Sequence, residues 1–266
     1  MVVALAQYLA AYFILQQRPP WQVVFLDWKL LAVVISTALV IAGGYIINAF
    51  YDIEKDLANR PEEVIMGRVI SKTQALRMWV FVNAISLFLS MLLQWQLVLF
   101  NGLFAFALWF YSHKLKKKPL VGDITAAILT VAAFFAVCVY YGFVNRLILV
   151  YAVFIVLITL IRELVKNLET MKGDVVYNYQ TYPVVHGIAR TKRILYLLMT
   201  ISVIPFGLLY ASTPMPMLFW YFLFCMGMLS VAAWWISQGT EAWHFAKVNN
   251  LLKLLILSGV ASIVFM

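Results

Sequence analysis

Three oxygen-bearing side chains fall on one stripe of a predicted helix: Asn48, Asp52 and Asp56 stand at i, i+4 and i+8, positions that project from a single face. Two carboxylates four residues apart repel, and at a helix C-terminus they also oppose the macrodipole. Such a face is unfavourable unless a cation or basic groups compensate it. Magnesium suits it, because this ion takes oxygen ligands and commonly combines one or two carboxylates with substrate phosphates. The same residues admit a plainer reading as surface charges paired with Lys55, Arg60 or other nearby bases.

Further along the chain a second acidic helix end repeats the pattern. Glu163, Asn167, Thr170 and Asp174 fall at i, i+4, i+7 and i+11, again one polar face. Lys166 and Glu169, with Arg162 and Lys172, occupy neighbouring positions, placed to touch a phosphate or to pair among themselves; the plainer reading of Glu163, Lys166 and Glu169 is a salt-bridge ladder at spacings of three. Gly173 is the expected helix stop. Between the two acidic ends, Tyr111-Ser-His-Lys-Leu-Lys116-Lys-Lys-Pro-Leu-Val-Gly-Asp123 sets four lysines against a proline and a glycine turn. Lysine clusters of this kind bind anionic lipid or fix topology. The alternative is a diphosphate site with Lys116 and Tyr111 as donors.

Other chemistries find no support. His113, His186 and His244 are too scattered for a metal cluster or a catalytic dyad, and Cys138 and Cys225 lie inside apolar runs, where they read as core residues. No P-loop, dinucleotide fingerprint, zinc spacing or nucleic-acid motif is present.

The elements that must position these groups are membrane helices. Of 266 residues, 65% are hydrophobic and 12% charged, against about 25% charged in soluble proteins, which excludes a soluble globule. Apolar runs fall at 1–17, 23–50, 75–94, 97–112, 120–142, 146–165, 194–211, 216–237 and 249–266. Backbone groups in lipid must bond within their own segment unless a barrel closes, so each run is expected to be a helix. The expected fold is all-α and polytopic, nine transmembrane helices around a central cavity, with 1–266 a single domain. Residues 1–17 lack a basic leader and a cleavage site, so they read as a first helix rather than a removable signal peptide.

Charge sets an expected orientation. Of the 20 basic residues, 17 follow the even-numbered helices, while Arg18, Lys29 and Arg146 lie opposite. The positive-inside rule then puts the even-numbered helix ends, and the site, in the cytoplasm. Ten of the eleven acids share those stretches, Asp27 being the exception. The rule does not require that crowding. The net charge of +9 is explained by topology and calls for no nucleic acid. Nine Trp, 14 Tyr and 19 Phe read first as interfacial belts and core; they would also serve to line a cavity for an isoprenoid chain, where ring faces stabilise an allylic cation.

Asn48-Ala-Phe-Tyr-Asp52-Ile-Glu-Lys-Asp56-Leu-Ala-Asn59-Arg60-Pro61, followed by Gly67-Arg68-Val-Ile-Ser71, resembles the first aspartate-rich motif of the UbiA superfamily of intramembrane prenyltransferases. Tyr111-Ser112, Leu115-Lys116, Pro119 and Gly122 are similar to that family's lysine loop. Lys166-Asn-Leu-Glu-Thr-Met-Lys-Gly173-Asp174, with Thr181, Pro183 and Gly187, is similar to its second motif, in the form of the digeranylgeranylglyceryl phosphate synthase branch. The sequence departs from the pattern at Ala49, Asn167 and Thr170, where Asp is usual, and at Asn178, which replaces a common Gly. Each lost carboxylate removes a charge that would hold a divalent ion, so the second metal site is expected to be weaker or rearranged. An Arg-Pro-containing segment expected ahead of the first helix is missing, which suggests a chain trimmed or begun late at its N-terminus.

The resemblance implies a magnesium-dependent enzyme of the inner cell membrane. It would transfer a geranylgeranyl group from its diphosphate to the hydroxyl of a geranylgeranylglyceryl phosphate-type lipid, at a site facing the cytoplasm. Asn48, Asp52, Asp56 and Asp174 would hold magnesium; Arg60, Arg68, Tyr111 and Lys116 would contact the diphosphate, assisted by Lys166, Asn167 and Thr170; Glu163 or Glu169 would take the acceptor proton. Three alternatives stand beside it: an aromatic acceptor of quinone biosynthesis, a transporter, and a non-catalytic relative. A transporter would show charges at the bilayer midplane and an inverted repeat. Here the acids lie at helix ends on one side, and no repeat period is evident.

Overall fold

The computed structural model describes residues 2–16, 18–59, 65–212 and 216–265, and among them every regular element is helical. In chain order these are α1 (Val2–Ala10, prolonged by a π-helical turn Ala11–Leu15), α2 (Trp21–Phe25), α3 (Trp28–Asn59), α4 (Lys72–Met91) and α5 (Trp95–Phe110, prolonged by a π-helical turn Tyr111–Leu115). There follow α6 (Val121–Ala132), α7 (Phe135–Tyr141), α8 (Arg146–Glu169), α9 (Met171–Val176), α10 (Tyr182–Ile201), α11 (Val203–Ser212), α12 (Pro216–Gln238) and α13 (Ala242–Ala261).

The fold is that of an all-α, integral multi-pass membrane protein. Among the described residues six helices are long and apolar enough to cross a bilayer, or seven if α6 and α7 count together as one broken span. Nine spans were expected. The first run forms an apolar helix too short to count, Val2–Leu15, and the 194–211 run is divided between α10 and α11. Bulky side chains point outward where lipid would meet them: Leu103 is 68% exposed, Phe81 and Trp220 each 66%. A surface this apolar is stable only in a non-aqueous solvent.

Three helix boundaries differ from those expected, each for a local reason. The 23–50 run breaks at Asp27, whose Oδ1 accepts the Lys29 N–H at 2.9 Å and so starts α3 afresh. At its other end α3 runs on to Asn59, which keeps Asp52 and Asp56 on helix rather than loop. The second acidic helix, α8, ends at Glu169 rather than Gly173: Thr170 leaves helical geometry at φ −97°, ψ 7°, and Gly173 falls inside α9.

The chain divides into two compact units: residues 1–116 with 132–143, and residues 117–131 with 144–266. In the first, α3 packs against α4 and α5 through small residues and buried polar side chains. A Cβ on Gly43 would lie 2.7 Å from Asn83 Nδ2, and one on Gly44 would lie 2.9 Å from Leu108 Cδ1. Beside this contact, Ser86 Oγ donates to the Ser36 carbonyl at 2.8 Å, and Asn101 Nδ2 donates to Ser90 Oγ at 2.8 Å and Ser36 Oγ at 3.3 Å, all fully buried. Close backbones and interhelical hydrogen bonds do here what apolar burial does in water, since lipid is as apolar as leucine.

In the second unit the axis is α8. Asn145 caps it, its Oδ1 accepting the Ile148 N–H at 2.8 Å. Phe154, Ile158, Ile161, Val165 and Leu168 form one buried stripe against Leu195 of α10, Phe222, Cys225 and Leu229 of α12, and Phe245, Val248 and Leu252 of α13. Both cysteines are buried, as expected of core residues.

Candidate active site

In the first unit, α3 presents Asn48, Asp52 and Asp56 on one face, as the spacing requires. Lys116 meets it. Its ammonium donates to Asn48 Oδ1 at 2.8 Å and forms an ion pair with Asp52, whose side chain is only 7% exposed. The reach depends on the π-helical turn after α5, where the Lys116 N–H donates to the Tyr111 carbonyl at 2.9 Å, five residues back. Such widened turns recur at functional sites because they re-aim the next side chain. Ring contacts steady the approach: His113 stacks on Trp109 at 5.4 Å and lies 5.3 Å from Tyr51 of α3. Tyr111 itself is half-buried at the start of the turn.

The turn Ile65–Ile70 also belongs to this unit. Its Gly67 has φ +84°, and a Cβ there would lie 3.0 Å from Ile53 Cγ2, so the turn closes directly on the residue after Asp52. Arg68 is exposed on this turn. Asp56 is half-buried one helical turn beyond Asp52. Arg60 lies outside the described residues.

In the second unit, the polar end of α8 lies opposite its buried stripe. Glu163 accepts from Arg162 Nη1 at 2.9 Å and from Lys166 Nζ at 3.2 Å, the second being the first rung of the expected ladder. Asn167 donates through Nδ2 to Asp123 Oδ1 at the start of α6. Past the helix break, Asp174 is fully buried, and its Oδ2 accepts from Thr181 Oγ1 at 3.2 Å and, at 3.3 Å, shares the single Thr170 hydroxyl proton with the Lys166 carbonyl, which lies at 3.1 Å. Thr181 stands at the start of α10, where its hydroxyl serves Asp174 instead of capping its own helix. Asn178 has φ +55°, the left-handed geometry that its replacement of glycine requires.

Glu169 stands apart from this face. Six residues separate it from Glu163, which is about 120° around a helix of 3.6 residues per turn. It therefore meets α13, where Asn249 Nδ2 donates to its Oε2 at 2.9 Å. Elsewhere in the unit, Lys117 lies 5.0 Å over the ring of buried Tyr179.

The structure thus gathers Asn48, Asp52 and Lys116 in one unit, and Glu163 with Lys166, Asn167 with Asp123, and Thr170 with Asp174 in the other. Sequence reading did not assign Asp123, Thr181 or Asn249 to the site. Thr181 carried a signal, as part of the second motif, and Asp123 one as the last residue of the lysine loop; Asn249 acts across elements and carried none. Among the described residues no three His, Cys, Asp or Glu side chains converge as a metal site would need. The donors do fit magnesium in another way. Asn48 and Asp52 already turn their oxygens toward one cationic atom, and magnesium completes its shell with water and substrate phosphate.

These features define a polytopic membrane protein in which acidic, amide and basic groups gather at two helix ends. A model of the UbiA prenyltransferase family matches residues 4–255, and the chain belongs to that family. The digeranylgeranylglyceryl phosphate synthase of Sulfurisphaera tokodaii is 34% identical over 198 residues, 69% of this chain and 70% of that protein. The synthase of Saccharolobus solfataricus is likewise 34% identical, over 63% of this chain and 62% of its own length. A solved structure concerning digeranylgeranylglyceryl phosphate synthase in membranes superposes with a TM-score of 0.75 at 21% identity, covering all of this chain and 93% of that one. A UbiA homologue from Archaeoglobus fulgidus, bound to GPP and Mg2+, gives a TM-score of 0.71 at 15% identity, covering all of this chain and 96% of its own.

Proposed function

We propose that this chain transfers a geranylgeranyl group from its diphosphate to the hydroxyl of a geranylgeranylglyceryl phosphate-type lipid, with magnesium, at the cytoplasmic side of an inner cell membrane. Its two units work as one domain. The observation that carries the proposal is the convergence of Asn48, Asp52 and Lys116, a carboxylate, an amide oxygen and an ammonium suited to a magnesium-bound diphosphate. The named activity of the relatives supports the acceptor, and the placement of 17 of 20 basic residues supports the orientation.

Asn48, Asp52, Asp56 and Asp174 hold the metal in this reading. Magnesium, when bound, neutralises the departing diphosphate. Lys116, Arg60, Arg68 and Tyr111 contact diphosphate oxygens, and Lys166, Asn167 and Thr170 assist from the second motif. The allylic C–O bond breaks with its electron pair leaving on the diphosphate, where the lysines and arginines stabilise the growing negative charge. The acceptor oxygen forms the new C–O bond and releases its proton. Glu163 and Glu169 are the two carboxylates proposed to receive that proton, and the variants E163Q and E169Q separate them. Exclusion of water by the apolar helices protects the allylic cation from hydrolysis.

The test is incubation of the purified protein in detergent with radiolabelled geranylgeranyl diphosphate, with and without magnesium, and a panel of glycerol-phosphate and aromatic acceptors. Label is expected in the ether lipid, only with magnesium. Label on an aromatic acceptor alone would replace the acceptor, and label on none would overturn the reading.

A further inference from the structure

One carboxylate of the second unit lies outside both motifs and is nonetheless built into the site. Asp123 stands in the first turn of α6, is 7% exposed, and accepts the side-chain amide of Asn167, 44 residues away in sequence. Its surroundings are made for it. Leu120, just ahead, has φ +61°, a left-handed conformation unfavourable for a residue with a branched side chain, and its backbone is hydrogen-bonded to the Asp123 carboxylate. The loop is wound tightly to permit this, with the Gly122 N–H on the Lys118 carbonyl at 3.1 Å and the Ile124 N–H on the Leu120 carbonyl at 2.9 Å. The helix N-terminus favours a negative charge at this position. Of the flanking groups of α8, Glu163 repels the Asp123 carboxylate and Lys166 attracts it.

Asn167 is also the position at which the second motif departs from an expected aspartate. An Asn–Asp pair joined by one N–H···O bond keeps the same bond and the same single negative charge when its two residues are exchanged. We propose that Asp123 is the missing carboxylate of the second motif, moved from α8 to α6. It is a positioning residue: by holding the Asn167 Nδ2 it turns the Asn167 Oδ1 the other way, where it would face the magnesium ion rather than the diphosphate oxygens, and it restores the charge that Asn167 lacks. The proposal rests on the functional reading above and adds to it a residue acting through Asn167.

The test is a double-mutant cycle with D123N, N167D and the exchanged pair D123N/N167D in the full-length protein in detergent. Two quantities are read without any acceptor: the melting temperature in the absence of metal and substrate, and the magnesium-dependent affinity for geranylgeranyl diphosphate. D123N should weaken that affinity by about tenfold or more, as loss of a supporting group around a metal site does. N167D should lower the melting temperature by placing two carboxylates in contact. The exchanged pair should recover both. Failure of the exchanged pair to improve on the worse single variant would overturn the proposal. So would unchanged diphosphate affinity across all three variants, since the pair would then serve the fold alone. If the native protein moved no label to any acceptor while the cycle still recovered, the functional reading would fail and the exchanged carboxylate would stand.

Discussion

On α3 the oxygens of Asn48 and Asp52 are gathered by an ammonium, that of Lys116, which arrives from the end of another helix. After α8 the carboxylate of Asp174 is gathered by hydroxyls, those of Thr170 and Thr181, within one short stretch of chain. The first arrangement works through charge, which acts over distance and tolerates exchange of one cation for another. The second works through direction, because a hydroxyl bond weakens steeply when it is bent or stretched. Substitutions that keep charge or keep shape should therefore separate the two regions.

The largest effect is expected where both regions lose the carboxylate itself. Asp52→Ala and Asp174→Asn should each reduce prenyl transfer on the order of 100-fold or more, the scale of removing an electrostatic group from a reacting centre. The check is product formation by variants that still elute from a sizing column as the native protein does; full turnover in either would remove that residue from the machinery.

Next comes the ammonium. Lys116→Met should reduce transfer by about 10- to 100-fold and lower the melting temperature, because Asp52 is left buried without this partner. Lys116→Arg should recover most of the melting temperature, since the guanidinium keeps the charge. If Met and Arg variants melt alike, the first region is not held through charge.

A smaller effect is expected at the hydroxyls. Thr181→Val keeps the shape and removes the donor, and should cost about 1.5–3 kcal/mol, the range for a hydrogen bond to a charged group. Thr181→Ser should cost less, and chemical denaturation in mixed micelles would show the difference. Equal losses from Val and Ser would mean that packing, rather than the hydroxyl, holds Asp174.

The contrast extends to helix contacts, with the smallest effects. Gly43→Ala in the first unit drives a Cβ to 2.7 Å from Asn83 Nδ2, which is tied to the Trp79 carbonyl at 2.8 Å. It should cost about 1–3 kcal/mol, as overpacking generally does. Gly259→Ala in the second unit meets the far ends of two side chains, Ile155 Cδ1 at 3.0 Å and Tyr221 Oη at 3.3 Å, of which the closer is the flexible aliphatic one. That end can rotate away, so the loss should stay under about 1 kcal/mol. A larger loss at Gly259 than at Gly43 would reverse the reading of which unit is the more tightly bound.

Much of this was legible in the chain because it is local. Helix follows from unbroken apolar length, the Asn48–Asp52–Asp56 face from a spacing of four, and the Glu163–Lys166 rung from a spacing of three. The errors were local as well, and instructive. Gly173 was expected to stop a helix that Thr170 stops, because glycine permits a break without requiring one. The 194–211 run hid a helix that begins just after Gly187, where φ +79° and ψ 164° break α10, since periodicity of apolar residues cannot follow a turn carrying Arg190, Lys192 and Arg193. Glu163 and Glu169 are a different case: both remain candidates by residue type, and their angular separation sets one against Lys166 and the other against Asn249.

What the sequence determined by itself is the class of molecule: a bundle of membrane helices whose acidic, basic and amide groups cluster at helix ends, together with the family its motifs resemble. Composition and short-range spacing suffice for that, because a bilayer leaves the backbone few choices. What only the tertiary structure decided is which of those groups touch. Lys116 reaches residues 64 and 68 positions away, and Asn167 reaches a carboxylate 44 positions away. Such pairings depend on how helices pack and on the turns that aim a side chain, the π-helical turn before Lys116 and the left-handed Leu120 before Asp123. Packing is a property of many residues at once, so no local pattern in the chain records it.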